Sequence, residues 1–397
     1  MVTFRTIELL RGLAALSVAV AHADSLLGAN PALPFGRWHA FAMPGTAGVE
    51  FFFVLSGFVM AVAHRADIAR GGNFGRFLWR RFRRIYPLYW VVLLVPLHRF
   101  WGAPLLTPDA IAAWFSLLPI RTDSILVVAW TLRQEVTFYL MLALCLLPWI
   151  GRAMLAAWVA ATLAWWFLPH PAPPPGLPTT VLSHVFSLFN FEFFAGLLAG
   201  WMLPHWPRRP AFGWALLATG LAGLAWRMSL DGWGVDYGPL HARPIYGAAY
   251  AAIILACATL ERDGAIAFGS KAVAFTAFAG AISYPLYLSH LLTLDEAADW
   301  LGASGIAARI GPDATVVAML AATIAVAAAL AGGVDQPLQR VLRRFSADSR
   351  SRRPLQEPPQ FPPTRPPPAA TAAPTATPQH PVPAIPARPV QQMPPPE

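Results

Sequence analysis

Apolar residues in this chain run together in blocks close to twenty residues long, instead of forming the narrow stripe of a soluble amphipathic helix. The blocks lie at about 7–27, 46–64, 84–101, 125–149, 152–169, 181–203, 210–228, 244–261, 272–299 and 312–334. A helix needs about 20 apolar residues to cross the hydrocarbon layer, so the pattern predicts an all-α, polytopic transmembrane bundle of about ten helices. From about Ser346 the pattern stops, and Pro, Ala, Gln and Thr take over in runs such as Pro366-Pro367-Pro368. Such composition buries too little apolar surface to offset chain ordering. The expected organisation is a membrane domain over 1–345 and a disordered proline-rich tail over 346–397, either passive or a polyproline-type ligand. The proline-rich stretch 169–178 reads as a stiff outer connection.

Composition agrees: 56% of the 397 residues are hydrophobic, 12% are charged, and the mean hydropathy is +0.49. Arginine placement then orients the bundle. With the N-terminus inside, the inner segments hold Arg65, Arg70, Arg76, Arg80, Arg81, Arg83, Arg84, Arg152, Arg208, Arg209, Arg262 and Lys271, and the outer ones mainly Arg37, Arg99, Arg121, Arg243 and Arg309. Positive charge marks the cytoplasmic side, so both termini are expected in the cytoplasm, with the bundle in a bacterial-type inner membrane. The net charge of +9 then reports topology and an anion site; no aromatic-interleaved basic module points to nucleic acid. Cys145 and Cys257 fall inside apolar blocks without metal-ligand spacing. No metal site is expected.

The first block is the most chemical, because it carries Arg11 and His22 where a plain anchor carries neither. Eleven helical residues turn through about 1100°, so the two side chains fall within about 20° of one face and roughly 16 Å apart. Ionisable groups in a membrane usually face a bundle interior or a watery cavity. Two plainer readings stand beside a site: Arg11 as the charged end of a signal peptide cleaved after Ala21-His22-Ala23, and His22 as a helix–helix hydrogen bond. Before the third block, a predicted inner loop ends in Arg80-Arg81-Phe82-Arg83-Arg84-Ile85-Tyr86-Pro87. This run either serves topology and anionic lipid or lets Arg80, Arg81 and Arg84 fork onto phosphates.

The second block brings Glu50 just inside the outer boundary, with Ser56 and Gly57 as packing residues. The fourth carries Arg133-Gln134-Glu135, where the two charges either neutralise each other or serve chemistry. Counting 1.5 Å per residue from the outer helix ends puts His22 and Glu135 at roughly 8 and 15 Å depth, compatible with one pocket. The ninth block reads Ser283-Tyr284-Pro285-Leu286-Tyr287-Leu288-Ser289-His290; it places His290 in the outer half, and Pro285 is expected to free a carbonyl.

Taken in order, Leu10–Leu16 through His22, Gly48–Met60, Arg80–Trp90, Trp130–Leu140, Glu192-Phe193-Phe194-Ala195-Gly196 and Ser283–His290 resemble the acyltransferase 3 family of integral-membrane acyltransferases, in particular its exopolysaccharide O-acyltransferase branch. The resemblance covers about residues 5–345. It implies a ten-helix fold that moves an acyl group, commonly acetyl, from cytoplasmic acyl-CoA to a hydroxyl of a glycan. Acyl-CoA is then a co-substrate, with no permanently bound cofactor. Arg11 and His22 match the family's arginine and histidine, and Arg80, Arg81 and Arg84 its basic motif, which gives the arginines CoA phosphates to hold. The chain departs from the family pattern at Glu50 and at Asp335-Gln336-Pro337, where carboxylates of different reach stand.

The expected mechanism has neutral His22 accept the proton of an acceptor hydroxyl, directly or after transient acylation, with Glu135 or Glu50 orienting the ring. Catalytic candidates are thus His22, Glu135 and Arg11; coenzyme-binding candidates are Arg80, Arg81 and Arg84; substrate-binding candidates are Glu50, Tyr284 and His290. The competing classes are a carrier or flippase for a lipid-linked or anionic substrate, and a scaffold acting through its tail.

Overall fold

The computed structural model describes residues 4–29, 33, 43–70, 74–121, 123–168, 179–231 and 242–347. The stretch 169–178 and the tail from 348 onward lie outside the described residues. Among the described residues no strand forms, and thirteen α-helices follow one another. They are α1 (Arg5–Ala29), α2 (Gly48–Arg70), α3 (Phe74–Arg99), α4 (Pro108–Ser116), α5 (Ala129–Leu144), α6 (Gly151–Phe167), α7 (Thr179–Val185), α8 (Asn190–Met202), α9 (Pro210–Leu230), α10 (Ala242–Arg262), α11 (Ser270–Ala303), α12 (Ile306–Leu330) and α13 (Gln336–Ala347). Six helical stretches, beginning at Arg5, Pro44, Thr180, Ala242, Ser270 and Ile306, are long and apolar enough to cross a membrane. The other four predicted blocks also form helices, but these are shorter, more charged, or richer in Gly and Trp.

Three boundaries differ from the sequence reading. The arginine run is helix, not loop: α3 begins at Phe74, because Phe77, Ile85 and Leu88 recur at helical spacing and bury one face while arginine itself favours helix. The 181–203 block breaks into α7 and α8 around Ser187, where Asn190 donates to the Val185 carbonyl at 2.7 Å. The last block starts earlier, at Ile306, and bends at Gly311 (φ +81°) just before Pro312. Below it a single π-turn, Ala331–Asp335, leads into the amphipathic α13. Helix α4 was not foreseen. Thr107 accepts from the Ala110 N–H, Pro108 opens the first turn and a left-handed Leu117 closes it. After it, Arg121 bridges Asp109 and Asp123; hydrogen bonds from Thr107 and then Arg121 hold the Asp109 carboxyl below its ordinary range.

Packing follows small residues. Helix α1 lies along α11, α2 along α8, α9 along α10, and α11 along α12. The α2–α8 seam is the tightest: a Cβ on Gly57 would overlap the Phe193 carbonyl oxygen, and one on Gly196 the Val54 carbonyl oxygen. Backbones approach this closely only where no side chain intervenes. At the N-terminus, Glu261 of α10 caps α1 by accepting from the Arg5 and Thr6 N–H groups and the Thr6 hydroxyl at 2.7–2.9 Å. Gly196→Val should force α8 off α2 and lower stability by about 1–3 kcal/mol or more. The check is the thermal midpoint of detergent-solubilised protein against Gly75→Ala, where a Cβ meets only open space.

Candidate active site

Lipid supplies no hydrogen bonds, so polar side chains inside a bundle must gather. Three of the clusters they form among the described residues hold the site candidates. The first surrounds Glu135 on α5, whose Oε1 accepts from the Ser56 hydroxyl at 2.7 Å and the Tyr139 hydroxyl at 2.5 Å. Arg11 of α1 lies within electrostatic reach of Arg84, Glu135 and Glu8. Arg81 sits over the rings of Tyr139 and Phe77, at 5.5 and 5.9 Å, and Arg84 over Tyr284 at 5.3 Å. The Tyr284 hydroxyl donates to the Ile85 carbonyl at 2.8 Å, which ties α11 to α3 at the arginines. Arg80 is half-buried on the same helix.

Beside this cluster opens a cavity of about 310 Å³, bounded by Arg84, Ala281, Asp335, Gln339, Arg340 and Arg343 among others. Its construction follows from proline. Pro87 has no N–H to offer the Arg83 carbonyl, and Gln339 donates to that carbonyl at 2.6 Å instead, docking α13 on α3. Pro285 likewise removes the helical donor of Ala281, although α11 runs on unbroken through it. Asp335 reaches Arg84 at 3.9 Å.

The second cluster is a histidine pair. His22 and His290 rings lie 5.0 Å apart and are tilted by 55°. Nδ1 of His22 meets the Val18 carbonyl at 2.9 Å, and Nδ1 of His290 the Tyr287 carbonyl at 2.7 Å. A carbonyl only accepts, so each neutral ring must carry its proton on Nδ1 and present a bare lone pair at Nε2. His290 Nε2 is buried without a hydrogen-bond partner. The third cluster is ionic. Arg243 donates from Nη1 to both oxygens of Glu50 at 2.9 Å and to Glu192 at 3.5 Å, all three side chains being at most 5% exposed. Its guanidinium covers Phe189 at 3.7 Å.

Arg11, Arg81, Arg84, Glu135 and Tyr284 therefore come together, and His22 joins His290. The predicted link between them does not form: His22 is oriented by a backbone carbonyl, while Glu135 and Glu50 are engaged elsewhere. Arg133 and Glu135 do not pair either, since residues two apart on a helix diverge. Arg133 donates to the Asp123 carbonyl at 3.0 Å, and Gln134 to His184 and Asn190. Sequence reasoning missed Ser56 as a donor, Glu192 and Arg243 as partners of Glu50, and Arg340 and Arg343. A glutamate inside the apolar 181–203 block was the available signal for Glu192; nothing local marks the others.

A family model described as an acyltransferase domain matches residues 4–332, nearly the whole described bundle. The chain belongs to the acyltransferase 3 family. The enzyme is thus an integral-membrane O-acyltransferase, and its clusters are to be read as parts of a transferase. It is 27% identical over 316 residues to the exopolysaccharide production protein ExoZ of Rhizobium meliloti (strain 1021), covering 75% of this chain and 90% of that one. It is 36% identical over 91 residues to protein 2 in the picA locus of Rhizobium radiobacter, covering 23% of this chain and 42% of that one. No solved structure matches the acyltransferase significantly.

Arg243→Met should leave two carboxylates facing one another without a cation and cost about 3–5 kcal/mol. Adding Glu50→Gln should recover part of that loss. Unfolding midpoints of the two variants in one detergent make the comparison.

Proposed function

We propose that this acyltransferase moves an acyl group, most simply acetyl, from cytoplasmic acyl-CoA to a hydroxyl of a polysaccharide or similar glycan. It would sit in a bacterial inner membrane with both termini inside. The observation that carries the reading is the His22–His290 pair with two bare Nε2 atoms, set about 16 Å along α1 from a cluster of arginines. Arginine forks suit phosphates, so Arg80, Arg81 and Arg84 hold the coenzyme's phosphate end. The pantetheine arm then passes Arg11 and Glu135 toward His22. In this reading Glu135 is a positioning residue, held by Ser56 and Tyr139 and balancing Arg11.

His22 Nε2 accepts the proton as the glycan oxygen attacks the thioester carbonyl carbon. The carbon–sulfur bond breaks, the acyl group stays on the glycan oxygen, and the coenzyme leaves as thiolate to be reprotonated. The acidic proton on Nδ1 stays anchored to the Val18 carbonyl throughout, which keeps the basic nitrogen aimed at the acceptor. The glycan assignment is supported by the printed name of the relative ExoZ, and the orientation by the arginine distribution.

Purified protein in nanodiscs, given radiolabelled acetyl-CoA and exopolysaccharide fragments, tests the proposal through CoA release and label on glycan or protein. His22→Ala should lower turnover by about 10²–10⁴-fold, and Arg84→Ala should raise the KM for acetyl-CoA with a smaller effect on kcat. His22→Ala protein that inserts normally and turns over at the wild-type rate would sink the mechanism.

A further inference from the structure

Helix α13 begins past the end of the family match, at Gln336, and its arginines have no part in the reading above. Arg340 and Arg343 stand one turn apart on the same face and border the cavity opposite Arg84. Three guanidinium groups against the single Asp335 carboxylate leave the cleft's lining with a net charge of +2. Arg84 meets Asp335 only at the edge of ion-pair range, 3.9 Å. Arg340 uses Nε on the Gln336 carbonyl at 3.4 Å, and neither Arg340 nor Arg343 forms an ion pair among the described residues. Arginines that serve topology gain nothing by converging, since like charges on a free surface lower their energy by spreading. Convergence on a concave site, with the Gln339 to Arg83 clamp fixing the spacing between α3 and α13, is the arrangement that a multiply charged anion stabilises.

We infer that α13 is the second wall of the coenzyme site: Arg340 and Arg343 bind phosphate groups of the adenosine 3′-phosphate end of acyl-CoA together with Arg84. The inference rests on the acyl-CoA reading proposed above. An anionic lipid headgroup offers the same phosphate chemistry, so the experiment must separate the two sources. The cleft's volume, at the low end for ligand sites, suits the phosphate-bearing end of the coenzyme and leaves the arm to run between the helices.

The full-length chain in neutral phosphatidylcholine nanodiscs is titrated with CoA and with adenosine 3′,5′-bisphosphate. Wild type is compared with Arg340→Ala/Arg343→Ala and with Arg344→Ala, an exposed neighbour that does not line the cleft. The double variant should bind both ligands about tenfold more weakly or worse, and Arg344→Ala within about twofold of wild type. All three substitutions fall on exposed positions, so the folded bundle is retained. Equal affinities in wild type and double variant, or an equal loss in Arg344→Ala, overturn the inference and leave the acyl-CoA reading standing. Unchanged CoA binding by the double variant, together with loss of the phosphatidylglycerol that wild type retains through purification in detergent, assigns the cleft to lipid and also overturns it. Wild-type protein that binds neither ligand and releases no CoA from acetyl-CoA overturns both.

Discussion

Ionised side chains placed where there is no water have to find their partners within the protein, and that constraint organises this bundle. Arg243 shows it most fully. It is buried to 5% exposure, and one guanidinium nitrogen serves Glu50 on α2 and Glu192 on α8 while its plane covers Phe189. Three helices thereby share one ionic node, and each of them is held in register by what the other two supply. Arg133 solves the same problem with a backbone carbonyl, and Arg227 with Asp231 one turn along its own helix. Tyr246 then donates to the other oxygen of Asp231 at 2.7 Å, bringing α10 into contact with α9.

Other polar side chains line up along α1 and α11. Along α1, Arg11 lies within electrostatic reach of Glu135 and Arg84, and His22 lies against His290. One helix thus carries both an arginine end and a histidine end, while α11 supplies a partner to each through Tyr284 and His290. The two ends differ in kind. The arginine end is braced by aromatic rings and by α13, and it opens on a cavity. At the histidine end each ring is fixed through Nδ1 by the carbonyl three or four residues before it.

Much of this was readable from residue order. Block lengths foretold an all-helical membrane bundle, and the 11-residue step from Arg11 to His22 put both on the interior side of α1. Partnerships were far less legible. Depth counting suggested a shared pocket for His22 and Glu135, but depth leaves azimuth free, and α5 turns Glu135 toward Ser56 and Tyr139. Ser56 read as a packing residue because a lone serine beside a glycine carries no local sign of the carboxylate it meets 79 positions later. The arginine run read as loop because hydropathy drops there, although the spacing of Phe77, Ile85 and Leu88 was helical all along. The role of Gln339 was invisible, since it depends on a carbonyl that Pro87 vacates 256 residues away in number from its partner.

The glycine seam between α2 and α8 carries one more implication. Ser56 adjoins Gly57, and Glu192 stands one turn before Gly196, so the line of backbone contact touches both the Glu135 cluster and the Arg243 node. It acts as a common ruler for two chemically separate regions. Any slip along it displaces both together, so neither region is free to drift independently.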